Sequence, residues 1–199
     1  MTTSIVAQPR TVRPSLVVYA APATQPLSLD DAKAWLRVDV DDENGVVDGL
    51  IQAATSIVED DTARRLIEQT IDLTVDSFPC GTEPLELYVA PVSAVSSVTY
   101  YDETDTSAAF SSANWFLDSA GQPARLCLKQ GCAWPTTRRR VAGVIRMVVG
   151  WSTAESMPPF LVHAVKMRLQ CLFEKRDLTT DEQRFYDWCI GPWILPREF

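Results

Sequence analysis

Apolar residues recur along this chain at two different spacings, and the spacing changes twice. Val46, Val47, Leu50, Ile51, Ala54, Ile57 and Val58 fall at i, i+3, i+4 and i+7. That period predicts a helix over 43–64 with a single apolar stripe. Ahead of it, Leu29, Ala32, Lys33 and Leu36 keep the same spacing with Trp35 beside them, which predicts a shorter helix over 29–37. Ser28 and Asp31 form a Ser-x-x-Asp capping signal that places acid where the helix dipole favours it. The acidic joint over 39–44 is short, and Asp42 is the expected cap of the second helix, so the pair reads as an αα-hairpin.

At Thr70 the period becomes two. Ile71, Leu73 and Val75 alternate with Asp72, Thr74 and Asp76, the pattern of a half-buried strand. Further strands are predicted over 85–89, 95–101, 115–118, 125–128 and 144–149, separated by turn signals such as Pro79-Cys80-Gly81 and Lys129-Gln130-Gly131. The helical period returns at Pro158-Pro159, since proline is tolerated in a first turn. Leu161, Val165, Leu169 and Leu172 define the apolar face of a helix reaching to about 176. A shorter helix starts near Asp181, capped by Thr180, carries Phe185, Tyr186 and Trp188, and ends at Gly191-Pro192.

The expected fold class is therefore α+β. Helices from both ends of the chain form a bundle, and an antiparallel β unit, a small sandwich or partial barrel, is inserted between them. The expected organisation is an extended arm over 1–26 with a strand at 16–19, helical parts over 27–68 and 157–188, the β unit over 69–156 and a tail over 189–199.

Composition narrows the function. The 199 residues carry a net charge of −8, which argues against a protein that holds DNA by neutralising phosphates. Cys80, Cys127, Cys132, Cys171 and Cys189 form an odd set with no Cys-x-x-Cys pair and read as reduced, partly buried thiols. The chain opens without a basic segment leading into an apolar one. Its most apolar stretch, 141–151, falls far short of the ~20 residues that span a bilayer. A soluble protein made in the cytosol, without membrane contact, is expected.

Catalytic chemistry finds little support. Asp39, Asp41 and Glu43 resemble a calcium loop, but Asn44 stands where the loop requires glycine and Leu50 where it requires glutamate. His163 is the one histidine, and no nucleophile elbow, zinc pair or phosphate loop occurs. No catalytic residue, metal ligand or cofactor is assigned, although an Asp/Glu site assembled in space would leave no sequence signature. Arg138, Arg139 and Arg140 form the basic cluster, either a solvated loop or a contact patch for phosphates or an acidic neighbour. The last fifteen residues hold Phe185, Tyr186, Trp188, Trp193, Ile194 and Phe199, with Gly191, Pro192 and Pro196 interrupting regular structure. Such a terminus either covers its own core or docks on a partner.

The ordered set of segments resembles the head–tail connector (adaptor) proteins of long-tailed bacteriophages and gene-transfer particles. It comprises residues 26–42, Leu50-Ile51-Gln52-Ala53-Ala54, Thr62-Ala63-Arg64-Arg65-Leu66-Ile67 and Ser96-Ser97-Val98-Thr99-Tyr100-Tyr101-Asp102. Gly131-Cys132-Ala133-Trp134-Pro135, Arg146-x-Val148-x-x-Gly150-Trp151, the Pro158-Pro159 helix start and Glu174-x-Arg176 complete it. Where the family often has Thr-Gly-Arg, this chain has Thr62-Ala63-Arg64, a departure at a turn that glycine would ease. The resemblance implies a non-enzymatic adaptor that forms a ring, commonly of twelve copies, under the portal protein at the capsid vertex. It implies a head-completion or tail protein below, DNA passing through the lumen without specific binding, and a place at the head–tail interface of a virion made in a bacterial host. The C-terminal residues Phe185, Tyr186, Trp188, Trp193, Ile194 and Phe199 are then the expected portal contact. A tail-completion or minor capsid protein, or an α+β enzyme with an Asp/Glu site, are the competing readings.

Overall fold

A computed structural model describes residues 15–39 and 43–195. Four helices and eight strands follow in the order β1 (Ser15–Ala20), α1 (Leu29–Leu36), α2 (Asn44–Thr62), β2 (Gln69–Val75), β3 (Leu85–Leu87), β4 (Val92–Tyr101), β5 (Ser107–Ala109), β6 (Trp115–Asp118), β7 (Ala124–Leu128), β8 (Gly143–Val149), α3 (Pro159–Glu174) and α4 (Thr180–Ile190). The class is α+β, as the change of period implies.

The helices pack around one apolar cluster. Val47, Ile51, Ala54 and Val58 of α2 meet Leu161, Ala164, Val165 and Leu169 of α3, with Leu27, Ala32, Tyr186 and Ile190 closing the sides. Each fully buried Ile or Leu here contributes about 1.5–3 kcal/mol, so residues more than a hundred positions apart hold this unit together. Val46 is the exception to the expected stripe. It lies a residue off the buried face, 60% exposed.

Local capping explains the helix ends. The Ser28 hydroxyl oxygen accepts the Asp31 N–H at 3.1 Å, as the Ser-x-x-Asp signal requires. Asp42, the expected cap of α2, lies outside the described residues, and Glu43 at the N-cap has helical backbone and no side-chain capping bond. For α4 the cap is Thr179 rather than Thr180. Thr179 and Glu182 form a reciprocal capping box in which each side chain takes the other's backbone N–H, and Gln183, three residues after Thr180, instead bonds to Asp187.

The β unit contains two antiparallel sheets around a second core. The larger has strand order β1-β2-β8-β4-β5 and the smaller β3-β7-β6. Ile71, Leu73, Ile145, Met147 and Val149 from the first meet Leu87, Trp115 and Leu126 from the second, a small sandwich. The alternation of β2, opposite the same alternation in β8, places every second residue in this core. β5 carries no periodic signal in the sequence: it is three small residues held to β4 across a tight turn. β1 forms the sheet edge with all six residues exposed.

Both joints between the units lie at one end of the large sheet. The Glu68 N–H donates to the Trp151 carbonyl at 2.8 Å, and the Gly150 N–H to the Pro91 carbonyl at 2.9 Å. Gly150 has φ +97°, and a Cβ there would stand 2.3 Å from the Ile67 carbonyl oxygen, so only glycine fits. Strands β2 and β8 run seven residues each from this junction, which puts their far ends roughly 20 Å away.

Candidate functional site: an aromatic strip across three helices

The outer face of the helical unit carries a chain of rings. Trp35 of α1 meets the His163 ring of α3 edge-on at 5.4 Å, and His163 meets Phe185 of α4 at 5.5 Å. Phe185 stacks on Trp188 at 5.8 Å, and Trp188 meets Phe160 at 4.9 Å. The spacing is helical: Phe160 and His163, like Phe185 and Trp188, stand three residues apart and share a face. Trp188 is 60% exposed, and Phe160, Phe185 and Trp35 about 40% or more exposed (46, 44 and 38%). This contiguous exposed aromatic patch is the candidate binding surface.

The opposite face of α4 anchors it. Tyr186, expected among the portal contacts, is buried instead, because it faces α2 and donates its hydroxyl to Asp61 Oδ2 at 2.6 Å. Arg168 reaches the same carboxylate at 3.1 Å and lies over the Tyr186 ring at 4.1 Å. Burial pushes the Tyr186 hydroxyl well up, and the bond to Asp61 adds to the rise. At the start of α4, Arg176 grips Glu182 through two hydrogen bonds of 2.7 and 2.9 Å. That pair, together with the Thr179 bonds, holds Glu182 down to about 2.

As far as Leu195 the tail folds back onto the molecule. Gly191–Trp193 form one 3-10 turn, and Trp193 packs against Trp151 at 6.2 Å. The buried Arg64 lies over the Trp193 ring, donates to the Trp193 carbonyl, and donates to Gln122 of the β6–β7 turn. The Leu195 N–H donates to the Thr62 carbonyl at 2.9 Å, and its side chain is buried. The six C-terminal residues named from sequence thus divide. Phe185, Trp188 and Ile194 are exposed, Tyr186 and Trp193 serve the core, and Phe199 lies outside the described residues. Trp35, Phe160 and His163 join the strip without any linear signal, because the bundle brings them there from distant positions.

The sole histidine is a packing element. Burial lowers its basicity and the nearby Lys166 lowers it further, so a neutral imidazole lies between two rings. No group of three or more His, Cys, Asp or Glu side chains suited to a metal occurs among the described residues, and the five cysteines are free. No helix among them is long and apolar enough to cross a membrane.

The arginine cluster sits at the far end of the large sheet. Arg138 pairs with Asp105 at 3.1 Å and stacks over Tyr101 at 4.1 Å, while Arg139 and Arg140 are exposed.

Comparison with known proteins fits this architecture. Residues 26–103 match the sequence model of the phage gp6-like head-tail connector proteins. The fold is similar to a chain of the virion of a native gene transfer agent (GTA) particle, with a TM-score of 0.77 at 20% identity over 92% of this chain and 97% of that one. It is similar also to a chain in the neck of an empty GTA particle computed with C6 symmetry (0.74, 20%, 93% and 97%). A third likeness is to a chain in the neck of a native GTA particle computed with C12 symmetry (0.68, 19%, 90% and 97%). No curated protein matches the chain. The likeness is thus of two kinds, in sequence to the connector model over the matched region and in fold to the particle chains. Residues 26–103 are similar to the gp6-like connector sequence, and the strands and helices beyond them complete a fold similar to that of the particle chains.

Proposed function

We propose that this protein is a non-enzymatic adaptor at the head–tail interface of a phage-like particle, where copies form a ring of twelve beneath the portal protein. The observation that carries the reading is the shared fold over 97% of a GTA virion chain, joined to connector sequence over residues 26–103. Closed cyclic assembly repeats one head-to-tail interface around the axis, and the neck structures of similar fold were computed with C6 and C12 symmetry. A net charge of −8 suits a lumen through which DNA slides without adhering. A head-completion or tail protein joins below, and synthesis takes place in the host cytoplasm.

The aromatic strip is the portal contact in this reading. Phe185 and Trp188 from the C-terminal segment, extended by Phe160 and Trp35, supply large exposed rings that act as interface anchors, and the exposed Ile194 adds an aliphatic side chain. Trp188→Ala and Phe185→Ala remove exposed rings, so the melting temperature should stay within about 1–2 °C of the parent. Co-purification with portal, and imaging of the resulting complex, should then fail for both variants. Portal binding that survives both substitutions would move the contact elsewhere.

A further inference from the structure

The far end of the β unit is built to present a short loop. Residues 138–141 lie between β7 and β8, at the sheet end opposite the helices. Two successive residues there take left-handed backbone, Arg140 with φ +65° and Val141 with φ +47°. For a β-branched residue such as valine this conformation is strained and persists only where neighbours impose it. The neighbours are visible. Asp76 Oδ1 accepts the Val141 N–H at 3.0 Å, Arg138 Nε donates to the Val141 carbonyl at 3.1 Å, and the Arg138 N–H donates to the Tyr101 carbonyl at 3.1 Å. Arg138 is used up inside the loop by Asp105 and the Tyr101 ring. What the pinned loop offers outward is Arg139, Arg140 and a Val141 side chain that is 41% exposed.

The surroundings choose between partners. Asp76, Asp102, Glu103 and Asp105 share this end of the sheet with the three arginines. The tip as a whole is therefore not positive, and a polyanion gains little by approaching it. Two forked guanidinium groups beside an exposed valine instead fit a protein surface, where each arginine takes a carboxylate at short range. A chain with 26 acidic and 18 basic residues offers such carboxylates on every copy. We infer that the loop over 138–141 docks on carboxylates of a second copy of this chain, forming part of the head-to-tail contact between neighbours. This rests on the ring reading above.

The test uses the full chain. Arg139→Glu/Arg140→Glu and the milder Arg139→Ala/Arg140→Ala are compared with the parent by sedimentation velocity over rising concentration. Circular dichroism checks the fold, and a labelled DNA duplex serves as probe in parallel. The reversal should weaken self-association at least tenfold and the alanine pair by less. Raising salt from about 50 to 500 mM should weaken the parent more than either variant, because exposed charge pairs are screened. Unchanged self-association in both folded variants would overturn the loop's role while leaving the ring intact. A parent that stays monomeric would overturn both. Duplex binding by the parent that the reversal abolishes would overturn the choice of partner in favour of phosphate.

Discussion

Replacing Ala63 by glycine should stabilise the protein, and replacing it by valine should destabilise it. Ala63 closes α2 in the left-handed conformation, φ +55° and ψ +32°, with its N–H bonded to the Glu59 carbonyl. An L side chain pays about 1–2 kcal/mol for that backbone, while glycine enters it freely but loses about 0.5–1 kcal/mol more chain entropy on folding. The methyl group of Ala63 is half-buried, and losing it costs about 0.4 kcal/mol at ~0.8 per fully buried carbon. The mid-values leave Ala63→Gly more stable by about 0.3 kcal/mol, a rise of about 1 °C in a chain of this size. Valine keeps the strain and adds a stiff branched side chain, so Ala63→Val should lie about 1 kcal/mol or more below the parent. Urea melts of the three proteins, with m held common, read the order directly. A stability order of valine above alanine above glycine would refute the assignment of a strained cap at this turn.

Gly150→Ala should cost several kcal/mol, because its Cβ would meet the Ile67 carbonyl at 2.3 Å on a backbone of positive φ; a variant that melts with the parent would refute the tight crossing of the two joints. Glu182, held near 2 against an ordinary 4.5, contributes stability that is complete above about 4.5 and is lost as pH falls toward 2. Glu182→Gln should flatten that acid limb of the stability curve, measured as melting temperature against pH. Tyr186→Phe removes a hydroxyl bonded to Asp61 at 2.6 Å, yet Arg168 still holds that carboxylate; a loss of about 1–2 kcal/mol is expected by chemical denaturation.

Much of the fold follows from periodicity, where one face of an element is buried and the other wet. α2 shows its stripe and β2 its alternation because each meets a single core. β5 gives no such sign, since Ser107–Ala109 are small and mostly exposed and their pairing depends on the neighbouring turn. The Thr179 cap was legible, for Glu182 stands three residues on, but the adjacent Thr180 competes for the same role. The strip was half legible. Phe185 and Trp188 stand close in sequence, whereas Trp35 and His163 meet only because α1 and α3 share a core. The fate of the tail was not legible at all. Whether Trp193 docks or folds back depends on Arg64 and Trp151, which only tertiary structure brings beneath it.

The helical core is divided between the two ends of the chain, and this sets the order of events on the ribosome. α2 emerges with Val47, Ile51, Ala54 and Val58 uncovered, and the residues that cover them belong to α3. Roughly a hundred residues must be made in between, which at 5–20 residues per second is about 5–20 s of exposure. During that interval β2 also waits for β8, its partner on the core side of the sheet. The nascent protein therefore passes through a stage with a bare helix face and a strand that has only its β1 neighbour, surfaces that chaperones bind and that crowded polysomes join by mistake. Assembly of the proposed ring would then depend on the pace of translation as well as on the finished fold.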